Sequence, residues 1–217
     1  MLKNFIDKLL DLIYKEKCIV CSCSKTNELL CKNCLKDVNF LSNFPHKIYN
    51  EIPIYSATVY TTTVKIIIHL LKFSHRRKAA GILAELLFDY FKKLKLDSDF
   101  IIIYPDSFYI KAMTRGYDHM YLISKEFAKL TGLKFYKNAI KKIKNTIPQY
   151  KARNRKKNIE GAFKINKKYI KELRQKPVLL IDDIITTGAT IEEIINLLKR
   201  YQINNITCLT VSKTIKM

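Results

Sequence analysis

The segment VLLIDDIITTGATIEE (178–193) decides the fold. With Pro177 it begins as an unbroken apolar run ending in two adjacent carboxylates, Asp182 and Asp183, and reads as a buried strand over 177–183. Thr186, Thr187, Gly188, Ala189 and Thr190 form a short loop that opens a helix over 189–201. The chemistry suits a phosphorylated ribose. Backbone N–H groups at a helix start attract phosphate, threonine hydroxyls add donors, and Gly188 permits close backbone approach. The carboxylates are suited to accept hydrogen bonds from ribose hydroxyls, and parallel sheets bind ligands beyond the carboxyl ends of their strands. The plainer reading is a capped helix after an ordinary loop. With only five Gly in 217 residues, a glycine at this turn weighs against it. No Walker A loop and no GxGxxG occurs, which counts against an NTPase or a dinucleotide enzyme.

Outward from this segment, strands alternate with helices. A strand is expected over 52–60, helices over 61–73 and 78–94, and a buried strand over 100–104. A helix follows over 117–130, stopped by Thr131-Gly132, then a weak strand over 133–137 and a closing strand over 205–212. This alternation predicts an α/β domain, a parallel sheet covered by helices on both faces. The segment 35–52, with Pro45 and no periodicity, reads as a linker, and 144–161 as a basic stretch without periodicity. The resulting division is an amphipathic helix over 1–17, a cysteine module over 18–40 and the α/β domain over 50–217.

The composition is 48% hydrophobic and 27% charged, enough apolar side chain for a core, which excludes disorder as the dominant state. Forty Lys and Arg stand against nineteen Asp and Glu, a formal net charge of +21. Such a surplus favours polyanions such as nucleic acid, phosphorylated substrates or anionic lipid. A bias towards Lys, Ile and Asn would produce much of the same charge with no binding role, since 33 of the forty are Lys. No apolar run approaches the ~20 residues needed to span a bilayer. The N-terminal helix lacks the features of a secretory signal, so a cytoplasmic protein is expected. That helix is read as packing on its own domain, with peripheral membrane-surface or partner contact as the lesser alternative.

Five of the six cysteines fall within 18–34. Cys18-x2-Cys21 and Cys31-x2-Cys34 supply four thiolates for a tetrahedral, structural Zn²⁺ with no open position. Cys23 is an alternative to Cys21. A pair of disulfides is the competing reading and suits an oxidising compartment. Cys208, in a strand, reads as a small core residue.

Residues 178–190 resemble the phosphoribosyl pyrophosphate (PRPP) motif of type I phosphoribosyltransferases. Three further features are similar to the ComF family of late-competence proteins: the double CxxC ahead of the domain, RGYDHMYLIS (115–124) and QYKARNRKKNIEGAF (149–163). The resemblance runs from Cys18 to about Lys213. It implies a zinc knuckle fused to a phosphoribosyltransferase-like fold that acts in DNA uptake during natural transformation. Single-stranded DNA and a competence helicase or uptake machinery are the implied partners. It also implies that Asp182 and Asp183 hold ribose hydroxyls, as the catalytic pair if the site is active, and that Thr186, Thr187, Gly188, Ala189 and Thr190 hold the 5′-phosphate. Mg²⁺ would accompany PRPP. The chain departs from the family in the loop after the second strand. That loop carries Asp106 and few cations, and Asp118 and His119 replace the usual Asn and Gln.

Two basic segments complete the candidates. Lys151, Arg153, Arg155, Lys156 and Lys157, flanked by Tyr150 and Phe163, suit a single-stranded backbone with stacked bases. They equally suit a hood closing over pyrophosphate. Arg76 and Arg77, after His75, suit a phosphate or DNA contact, or a plain hydrophilic turn. Two functions therefore compete: a DNA-uptake factor that binds single-stranded DNA and carries a PRPP site, and an active phosphoribosyltransferase with a nucleobase or other amine as acceptor.

Overall fold

The computed structural model describes residues 17–23, 29–96, 99–146 and 159–215. The helix expected before Lys17 and the basic run Lys151, Arg153, Arg155, Lys156 and Lys157 lie outside the described residues. A short helix, α1 (Lys32–Lys36), precedes strands β1 (Lys47–Tyr49) and β2 (Ile52–Val59). Helices α2 (Thr62–Phe73) and α3 (Ala79–Leu94) lead to β3 (Ile101–Ile103), α4 (Tyr109–Arg115), α5 (His119–Thr131) and β4 (Lys134–Phe135). Strands β5 (Ile140–Lys142) and β6 (Phe163–Ile165), helix α6 (Ile170–Gln175), β7 (Val178–Ile185), α7 (Ala189–Arg200) and β8 (Ile206–Lys213) complete the chain.

The main sheet has six strands in the order β1-β2-β8-β7-β3-β4. All neighbours are parallel except β1 on β2. Both faces are covered. Ala57, Leu179, Ile181, Leu209 and Val211 pack under α2, α3 and α5. Ile54, Ile101, Ile103, Leu180 and Cys208 pack under α7, α6 and the β5–β6 hairpin. The expected α/β architecture is therefore present, and fully buried Cys208 is the core residue its strand position implied. Each helix forms for a local reason. In α2, Val64, Ile67, Ile68 and Leu71 bury one face, and Thr61 caps the start by accepting from the Val64 N–H. In α5, Asp118 accepts from the Met120 and Tyr121 N–H groups, and Gly132 closes the far end in the left-handed conformation.

The linker expected over 35–52 is replaced by ordered structure. Val38 is buried, Phe40 bridges Thr58, and Asp37 accepts from the Thr63 N–H at 3.0 Å. β1 then adds an edge strand to the sheet. These pieces are too short to show a period, and their partners lie elsewhere in the chain. The same holds for α4, α6 and the β5–β6 hairpin, from whose ends the basic segment departs.

The order of the strands places the site. β7 runs through α7 to β8 on one side, while β3 runs through α4 and α5 to β4 on the other. Connections that diverge from adjacent parallel strands open a crevice at the strands' carboxyl ends.

Candidate functional site

The crevice is bounded by the loop after β7 and the loop after β3. Asp182 and Asp183 do not lie beyond the strand but inside it, where the pleat turns them apart. Asp183 faces α2 and α5 and is 7% exposed. Its Oδ2 accepts from His119 Nε2 at 2.8 Å and pairs with the Lys72 ammonium, and its Oδ1 accepts from the Ile184 N–H at 2.7 Å. Burial opposes ionisation of this carboxyl. Lys72 and His119 outweigh it and hold the group well below the usual carboxylate range. Asp182 stays partly exposed and accepts from the Asp183 N–H at 2.9 Å. Burial, then the neighbouring Asp183 charge, pushes it from an ordinary 3.8 up to about 7. The two acids expected to act alike thus have different surroundings.

His119 was not expected in this contact; its residue type marked it only as a departure from the family pattern. Arg115 NH1 lies 2.7 Å from its Nδ1. A guanidinium only donates, so Nδ1 accepts and the proton sits on Nε2, aimed at Asp183. Burial keeps the imidazole neutral, with its pKa lowered. Ser107 completes the network: its N–H donates to Asp118 Oδ2 at 2.6 Å, and its Oγ lies 3.2 Å from both Asp118 Oδ1 and His119 Nδ1. A buried network of this kind fixes Asp183 between α2, α5 and the loop after β3. Nothing in the sequence marks Lys72 for this role, because a cation in the last turn of a helix has its own local explanation.

The loop after β7 places Thr186 and Thr187 at the surface, with Gly188 and Ala189 buried and Thr190 partly so. Gly188 has φ +88° and stands at the start of α7, where no side chain caps the helix. Those N-terminal amides face the crevice end of β7, as a phosphate cradle requires. Lys47 latches this loop from β1: its Nζ donates to the Thr187 carbonyl at 3.1 Å and pairs with buried Glu192. Neither Lys47 nor Glu192 carries a recognisable motif.

On the other wall, Asp106 lies beside Ile140 of β5, its N–H donating to the Ile140 carbonyl at 2.9 Å. Burial, then the Asp118 charge, pushes its carboxyl up to about 7. Lys141 and Lys137 oppose that rise, so Asp106 stands among cations supplied from outside its own loop. Beyond it, Gly161 (φ +60°) donates to Glu193 Oε1 at 2.9 Å, and Phe163 is buried, so the basic segment's returning end is tied to α7 and the core. Arg76 and Arg77 lie in the turn between α2 and α3, both exposed.

The four cysteines form a second site. Their sulfurs lie within 4.8 Å of one another, with Cys21 and Cys31 3.7 Å apart. Zn–S bonds of ~2.3 Å in a tetrahedron separate sulfurs by about 3.8 Å, so the set fits zinc. Backbone N–H groups of Cys31 and Cys34 point at Cys18 Sγ and Cys31 Sγ, each at 3.5 Å. Burial works against a thiolate at Cys18, yet the N–H groups of Cys21, Cys31 and Val20 bring it down to about 6. The group contains Cys21 and not Cys23, although Cys23 also reaches the Cys31 thiol. Among the described residues, no helix is long and apolar enough to cross a membrane.

Comparison with known proteins agrees with this fold. Residues 129–215 match the phosphoribosyl transferase domain family. Competence protein F of Haemophilus influenzae is 28% identical over 153 residues, 68% of this chain and 66% of that protein. DNA utilization protein YhgH of Salmonella typhi is 28% identical over 152 residues, 67% of this chain and 65% of that protein. In both cases the match spans just under two thirds of the relative. YhgH of Escherichia coli K12 is 26% identical over 196 residues, 84% of each chain.

Proposed function

Because the chain belongs to the ComF family of competence proteins, we propose that it is a DNA-uptake factor of natural transformation. In this reading it binds single-stranded DNA in the cytoplasm, works with a competence helicase or uptake machinery, and carries a PRPP-binding site. The observation that carries the reading is the uncapped start of α7 behind Asp182 at the crevice between β7 and β3. Phosphate meets amides and threonine hydroxyls there, and ribose hydroxyls meet Asp182. The relatives' names supply the role in competence and DNA use.

Zinc held by Cys18, Cys21, Cys31 and Cys34 would be structural, since four thiolates leave no open position. Mg²⁺ would arrive with the pyrophosphate and screen it from Asp106 and Asp118. The scarcity of cations in the loop after β3 favours a binding or regulatory site over an efficient transferase. A pyrophosphate leaving group gains from cations preorganised around it, and Asp106 offers the opposite.

The test is titration of the purified full-length chain with Mg²⁺–PRPP by calorimetry, and with a labelled oligothymidylate by fluorescence anisotropy. Each is done alone and in the presence of the other ligand. Saturable binding of both is expected. Absence of PRPP binding would remove the phosphoribosyl part, and absence of DNA binding would remove the uptake part.

A further inference from the structure

The turn joining α2 to α3 carries a feature used by neither the acidic strand nor the sulfur cluster. Phe73 ends α2 with 64% of its surface exposed. Ser74, His75, Arg76, Arg77 and Lys78 follow, all exposed. Two aromatic rings stand in this region, each paired with a guanidinium. Arg115 lies 5.9 Å from the Phe73 ring centre, and the His69 ring packs against Phe73 at 4.7 Å. Arg77 lies 5.0 Å from the Tyr117 ring centre, and His75 meets that ring edge-on at 6.2 Å. Tyr117 is pinned by its hydroxyl, which donates to the Leu71 carbonyl at 2.5 Å. Met113 of α4, two residues before Arg115, is 74% exposed. The sequence from 61 to 78 contains five Lys and Arg and no Asp or Glu. Of the five, Lys72 is engaged with Asp183, and Lys78 is engaged as well.

Rings with guanidinium partners amid exposed cations match a ligand that has flat π-faces and a regularly charged backbone. A duplex hides its base faces in the stack, so the matching ligand is a single strand. We propose that the α2–α3 turn and the end of α4 form a stacking platform for single-stranded DNA. Phe73 and Tyr117 take bases, while Arg76 and Arg77 take phosphates. This rests on the single-strand reading above and adds where the strand lies. It also sets the strand beside the acidic network, because Arg115 both lies over Phe73 and donates to His119.

The experiment uses the full-length chain and a labelled oligothymidylate of about 20 nucleotides. Anisotropy is measured across a salt series, with heparin as a polyanion that has no bases. Phe73→Ala should weaken DNA binding about tenfold with an unchanged salt slope, since stacking releases no counterions. Heparin binding should not change, and Phe73→Trp should restore DNA affinity. Arg76→Ala with Arg77→Ala should make the slope of log K against log[salt] shallower by about 1.4, at about 0.7 per phosphate. If the wild type binds DNA but every variant binds equally well with the same slope, the platform is wrong and the single-strand reading stands. Equal loss of DNA and heparin in Phe73→Ala would also overturn the platform, because that pattern is not stacking. A wild type that binds no single strand overturns both.

Discussion

Asp182 and Asp183 are neighbours in sequence, and the pleat gives them opposite electrostatics. The depressed Asp183 carboxyl contributes stability above its unfolded pKa, and that contribution is lost as pH falls through its lower folded value. Asp183→Asn leaves Lys72 without its counter-charge, so a loss of about 3 kcal/mol is expected in urea unfolding at pH 7. Asp182 has the reverse sign. Its pKa rises from 3.8 to about 7, so between those values the folded chain holds a proton that the unfolded chain does not. Stability therefore falls as pH rises through that window. Asp182→Asn should match the wild type near pH 4 and exceed it at pH 8 by up to about 4 kcal/mol, at about 1.4 kcal/mol per pKa unit, with a correspondingly higher Tm. It should at the same time abolish PRPP binding. Comparison of the two proteins at each pH removes the effect of His119, whose lowered pKa makes both less stable below about pH 6.5. A melt difference independent of pH would contradict the assignment.

At the scale of elements, the unit that matters is β7, its loop and α7. The strand's buried run ends in a turn that only a left-handed residue closes, and Gly188 supplies it at φ +88°. A Cβ there would stand 3.1 Å from Lys47 Nζ and 3.5 Å from Glu192 Oε1, inside the latch that joins β1 to the loop. Gly188→Ala should cost about 1–2 kcal/mol, because an L-residue is strained in this conformation and the lysine must move. PRPP affinity should fall with it, since the helix amides shift relative to the strand. Calorimetry of the variant showing undiminished affinity would mean that the loop does not hold the phosphate.

Across the whole molecule, the cysteine module is not a bead on a string. Cys18, Leu30, Cys31 and Val38 belong to the same apolar cluster as α2 and α3. One zinc per chain is expected by elemental analysis, lost in Cys31→Ser. Strong chelation should lower the main thermal transition instead of adding a separate early one, because the module and the domain share a core. Two resolved transitions, with the larger one unmoved, would show that the module unfolds independently.

The long elements were legible because period and punctuation are local properties. A continuous apolar run, helical spacing in 61–73 and 78–94, and Gly132 as a stop each act within a few residues. The double CxxC was legible for the same reason, since its ligand geometry is set by two tight turns. The short elements β1, α4, α6 and the β5–β6 hairpin were not, because they exist only against partners far along the chain. The site divides likewise. The amino-acid sequence alone determined the acidic pair, the Thr-Gly loop and the parallel α/β architecture that brings a strand end to a helix start. Only the tertiary structure decided which acid is free. The tertiary packing sets Lys72 and His119 against Asp183 and leaves Asp182 partly exposed on the opposite face of β7, and pairwise electrostatics over a few ångströms depend on neighbours in space, not in sequence.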